Sequence, residues 1–201
     1  MNYLITAEQK NFFEKQHFIE FEGFLTEEQL AILKKCKECT RDLSRKNFEL
    51  SKIVKNKLFA KLAKELFLQK ELRLGYDEII EFPLSFSEAT SLEEISSVRP
   101  LVGALMLCIE GESDNSENEP LDGFAPFPQK PGNAIFFAPS HKWNLEAIAK
   151  RKKQKFLLIA YAAPRAMYIF QDKDRYTHTL KALGLVFGDR LREKDHPILG
   201  R

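Results

Sequence analysis

Four histidines and three cysteines are the side chains of this sequence best suited to hold a metal or to act as nucleophiles. The histidines are His17, His141, His178 and His196. His141 lies in GNAIFFAPSHKWN, residues 132–144, where a glycine turn leads into an apolar run that reads as a buried strand. A histidine at the mouth of such a strand is placed to aim its imidazole at a metal. A metal site around it needs further donors that converge on the same ion. Alternation in a strand sends residues i and i+2 to one side, so His-x-Asp or His-x-Glu is the spacing that supplies them. No histidine here has it: two positions on stand Ile19, Trp143, Leu180 and Ile198. His141 is therefore the metal-ligand candidate, and only if a metal binds.

The other reactive groups are less informative. Cys36 and Cys39 form C-x-x-C, but no second ligand pair follows to close a zinc site. The pair falls late in a helical pattern, not at the strand-to-helix turn a redox motif needs, so packing on an apolar face is expected. An odd cysteine number points to a reducing, cytoplasmic setting. Neither a phosphate-binding glycine loop nor a G-x-S-x-G elbow occurs. A net charge of +2 argues against a nucleic-acid or membrane partner. The basic run Lys150–Lys155 beside Trp143 keeps a nucleic-acid-binding regulator as a second alternative. The longest apolar runs, residues 101–109 and 156–163, are strand-sized and too short to span a bilayer.

The elements that must position these groups follow from periodicity. Thr6 with Gln9, and Thr26 with Gln29, fit the capping box that opens a helix. Between them HFIEFEGF alternates, with Ile19 and Phe21 on one side of a short strand. The second helix is expected to carry Leu30, Leu33, Cys36 and Leu43, and a third, within residues 50–69, Ile53, Leu58, Leu62 and Leu66. From Leu72 onward short β-like runs alternate with prolines, glycines and polar clusters. The acidic stretch 110–123 reads as a surface loop, and the end of the chain as partly helical. The expectation is one α+β domain over residues 1–201: mainly helical over 1–70, a β core over 71–170, and a C-terminal helix and tail over 171–201.

In that order the elements resemble the phytanoyl-CoA dioxygenase group of Fe(II)/2-oxoglutarate-dependent oxygenases. LITAEQKNFFEKQHFIEFEGFLTEEQLAILKK is similar to that group's opening helix–strand–helix, and ENEPLDG stands where it has an Asn-Gly-Pro-Leu turn. PGNAIFFAPSHKWN resembles the strand leading to its second metal histidine, and KQKFLLIAYAAP its last core strand. The resemblance implies a double-stranded β-helix, a cupin-like jelly roll, packed by N-terminal helices. It implies a ligand's place for His141, with Asn144 shortly after, and a 2-oxoglutarate carboxylate held by Lys155 or Arg151. The His-x-Asp is due within residues 85–97, which hold Glu88, Glu93 and Glu94 but no histidine. Asn133 replaces the customary aspartate.

A non-catalytic binding or regulatory homologue that has lost the standard Fe(II) site is thus expected, with no catalytic residue and no cofactor. Asn144, Arg151 and Lys155 would line a barrel with room for a small anionic ligand. The alternative is an active oxygenase that binds Fe(II) and 2-oxoglutarate through rearranged ligands, with Glu88, Glu93 or His178 joining His141.

Overall fold

The computed structural model describes residues 4–81, 91–111, 127–142 and 154–200. Helix α1 (Ala7–Gln16), strand β1 (Phe18–Phe21) and helix α2 (Glu27–Lys34) open the chain, and both helices start in capping boxes, Thr6 with Gln9 and Thr26 with Gln29. Each threonine hydroxyl accepts from the glutamine amide and each glutamine side chain accepts from the threonine amide. β1 ends at Gly23, whose positive φ of 55° turns the chain back.

Two helical expectations need correction. α2 stops at Lys34, so Cys36 and Leu43 lie beyond it. The chain straightens because residues 40–42 pair with a strand edge: the Asp42 amide donates to the Asp77 carbonyl, and the Ile79 amide to the Thr40 carbonyl. Sheet pairing overrides local helix propensity there. The third helix is in fact two, α3 (Phe48–Val54) and α4 (Lys57–Leu66), because the Asn56 side chain accepts from the Leu58 amide and starts a new helix. Beyond residue 171 the described helical structure is a 3₁₀ turn, Thr179–Leu183.

The β-like runs condense into β2 (Leu72–Glu81), β3 (Val98–Glu110), β4 (Ala134–Phe137), β5 (Lys155–Tyr168) and β6 (Ile198–Leu199). With β1 they form one six-stranded sheet in the order β1-β4-β3-β5-β2-β6, every pairing antiparallel. The fold is mixed α/β, helices on one side of an antiparallel sheet.

β5 lies between β3 and β2 and is buried on both faces, which explains its unbroken apolar run. Leu157, Ile159 and Tyr161 join the helical core with Leu33, Leu50, Phe59 and Leu62. Phe156, Leu158 and Ala160 join a second core with Met106, Phe137, Leu180 and Leu191. This alternation decides which face each candidate residue can serve.

The helical core is tight where α4 ends. Phe67 packs its ring among Phe13, Phe136 and Tyr161, over β3 at Gly103. A Cβ on Gly103 would lie 2.2 Å from the Phe67 ring, so β3 can approach α4 there only as glycine. Gly103→Ala is expected to cost about 1–3 kcal/mol in urea unfolding. The same substitution made on a Phe67→Leu background is expected to cost markedly less, a coupling read directly from the double-mutant cycle.

Candidate functional site

His141 follows β4 in a turn beside the start of β1. Its amide donates to the Ala138 carbonyl (3.0 Å), which closes a turn, and its ring meets the edge of Phe18 with centroids 5.4 Å apart. Burial, with His17 nearby, holds the imidazole below the usual histidine pKa. Its Nε2 is buried and has no hydrogen-bond partner among the described residues. The structure therefore presents a neutral imidazole, the form that ligates metals.

Partners for it are the difficulty. The Glu93 amide donates to the Pro139 carbonyl (3.0 Å), so residues 91–93 do run beside the approach to His141. Yet among the described residues no three His, Cys, Asp or Glu side chains converge as a metal site would require. His178 stacks with Phe170 and Phe187 in the C-terminal segment. Glu88, Asn144 and Arg151 lie outside the described residues.

Lys155 is described, and it faces the helices. It opens β5 on the same side as Leu157 and Ile159, and its Nζ donates to the Cys36 carbonyl (2.5 Å) just past α2. Buried to 7% exposure, the ammonium ties the end of that helix to the sheet. The next positions on the opposite face are Gln154 and Phe156. Asn133 has a local task as well. Its Oδ1 accepts from the Gly23 amide (3.1 Å) and its Nδ2 donates to Glu20 (3.2 Å), a double role that an aspartate cannot fill. Cys36, Cys39 and Cys108 are all free thiols.

Sequence reasoning missed the most heavily built polar cluster. The Arg41 guanidinium lies 3.9 Å above the Tyr76 ring and 4.7 Å from that of Tyr176. Its Nε donates to Glu78 (3.0 Å) and one terminal nitrogen to Asp174 (2.8 Å). Asp174 also accepts from the Ser97 and Tyr176 amides, and Glu78 from Arg175. Burial alone would raise the Asp174 carboxyl; Arg41 and the two amide donors outweigh it and leave the pKa below the usual range. Beside Ile80, Ile95 and Leu158 the cluster leaves a space of about 10 Å³, room for a water and nothing organic. Arg41 sits in CTRDLSRKN, which has no periodicity that would betray a buried cation.

His196 is another buried titratable group. Its Nδ1 donates to the Gly75 carbonyl (2.8 Å), while Nε2 accepts from Arg45 (3.0 Å). Burial and the Arg45 charge lower its pKa to about 4.

No protein-family model matches the sequence, and no curated protein does. Solved structures do match. The carbocyclase SnoK of nogalamycin biosynthesis, a non-heme α-ketoglutarate-dependent enzyme, is 13% identical with a TM-score of 0.69, over 96% of each chain. The epimerase SnoN, solved with Fe³⁺, α-ketoglutarate and nogalamycin RO, is 12% identical with a TM-score of 0.63, over 94% of this chain and 96% of its own. CT296 from Chlamydia trachomatis is 18% identical with a TM-score of 0.53, over 81% of this chain and 99% of its own. The chain thus has the fold of the iron/2-oxoglutarate-dependent oxygenases.

Both clusters make measurable claims. Arg41→Met leaves buried Asp174 with amide donors alone and Glu78 with only Arg175, and is expected to cost about 3 kcal/mol. The loss is expected to shrink on acidification, since protonation relieves them. For His196 the unfolded chain takes up its proton first, near the ordinary histidine value of 6.5, so stability falls as pH drops toward about 4. This is worth about 2 kcal/mol between pH 7 and 5. His196→Asn is expected to lose that part of the slope in urea titrations at the two pH values.

Proposed function

We propose that this chain is a dioxygenase-fold protein without the standard chemistry, serving as a binding or regulatory module. The observation that carries the reading is a separation. The imidazole of His141 meets Phe18, which packs on the second core, whereas the ammonium of Lys155 donates to Cys36 in the helical core. In an iron/2-oxoglutarate centre a metal ligand and the cosubstrate's carboxylate partner must serve the same cavity. On the face of the second core the neighbouring strands offer Met106, Ile135, Phe137, Phe156 and Leu158, and the charges there, Arg41, Glu78 and Asp174, are paired with one another. Apolar side chains there stabilise the fold by about 1.5–3 kcal/mol each, but none can bind an anion or an ion.

The described residues do not fit the metal and cosubstrate that the fold implies. A 2-His-1-carboxylate face needs three converging donors, and among the described residues no such group forms around His141, whose ring lies against the edge of Phe18. The reading takes the six-stranded sheet as one wall of a double-stranded β-helix, within a single domain over residues 1–201. It also takes the chain as a relative of the phytanoyl-CoA dioxygenase group, and its free thiols as suited to a reducing cytoplasm. No described helix is long and apolar enough to cross a membrane.

The test is direct. Mixed anaerobically with Fe(II) and 2-oxoglutarate, the purified protein is expected to show no metal-to-ligand charge-transfer band, and on aeration to form no succinate. A band in the wild-type protein that disappears in His141→Ala would overturn the proposal and restore the oxygenase.

A further inference from the structure

A cleft of about 510 Å³ opens between α3, the turn that precedes it and the C-terminal segment, away from both His141 and the Arg41 cluster. That volume is in the range of small-molecule sites, roughly 300–1,000 Å³. Its charge is one-sided. Arg45, Lys46, Lys55 and Lys194 line it against the carboxylate of Asp195 alone, a formal +3 in a chain whose whole net charge is +2. Asp195 is already neutralised by Arg192 at 3.1 Å.

The cations divide into two kinds. Arg45 is committed, with one terminal nitrogen on Asp42 (3.0 Å) and the other on His196. Lys46, Lys55 and Lys194 are exposed and make no ion pair among the described residues. Three ammonium groups gathered around one hollow repel each other unless an anion joins them. The forked geometry that suits a planar carboxylate is thus in use, and what remains are unforked point charges. Such charges suit a tetrahedral group that concentrates about two negative charges, which is a phosphate. The floor is different: Leu74, Leu183 and Pro197 offer an apolar surface, and the Phe48 ring stands at the rim 73% exposed.

We infer that this cleft binds a small organic phosphate, its phosphate or diphosphate held by Lys46, Lys55 and Lys194 and its organic body laid on the apolar floor. The site is independent of the sheet's inner face and stands whether or not the chain is an oxygenase.

Titration calorimetry at low salt with pyrophosphate and with ADP tests it. Both are expected to bind saturably, ADP at least threefold tighter because it alone reaches the floor. Hydrogen exchange is expected to slow over residues 44–55 and 194–197. The double substitution Lys46→Gln/Lys194→Gln is expected to weaken both probes at least tenfold. Lys57→Gln/Lys61→Gln, on the outer face of α4, is expected to change neither by more than twofold. Absence of saturable binding by both probes would overturn the inference, as would binding indifferent to the cleft substitution. Equal losses from the α4 substitution would reduce the effect to diffuse charge, and equal affinities for the two probes would remove the floor.

Discussion

One guanidinium holds together parts of the chain far apart in sequence. Arg41 comes from the segment that straightens after α2, Glu78 from β2, and Asp174 from the stretch after β5, itself bonded to the amide of Ser97 before β3. The side chains of Arg41, Glu78 and Asp174 are 7%, 5% and 1% exposed, so each charge has given up its water for the others. Such a cluster adds little net stability over an apolar replacement, but it penalises any arrangement in which one member is missing. It therefore acts as a register device. Residues 40–42 must lie along the β2 edge, and the C-terminal segment must return to the second core, or a buried charge is left alone.

That constraint also explains the end of α2. Lys155 reaches the Cys36 carbonyl, and Cys39 lies against Glu81, so the connection from helix to strand edge is pinned on both sides of its bend. The basic residue at the start of β5 thereby serves architecture, and strand parity decides its facing. Along β5 odd positions look to the helices and even positions to the other core, and no side-chain rotation moves a residue between them.

Much of the scaffold could be read in the sequence because its signals are local. Thr6 and Thr26 announced their helices through residues three positions on, and the β1 alternation needed only four. The double burial of β5 was visible as an uninterrupted apolar run. What escaped depended on contacts far along the chain. Cys36 looked helical until its segment was claimed by β2, and Arg41 is spaced 133 residues from Asp174. Lys155 was legible as a basic residue at a strand entrance, but its facing was not, because parity is set by where β3 and β2 register against it. His141 was found where a strand-end histidine was expected, while Arg151 and Asn144 fall outside the described residues.

The amide of Asn133 makes the corner at Gly23 depend on a neutral side chain. Glu20 sits beside it, its carboxyl raised above the usual range by burial and partly relieved by the Asn133 donor. An acid at position 133 would set two carboxylates face to face and leave the Gly23 corner held by a repelling pair. The two positions are therefore electrostatically tied: an acid at 133 escapes that penalty only where Glu20 has given way to a neutral residue.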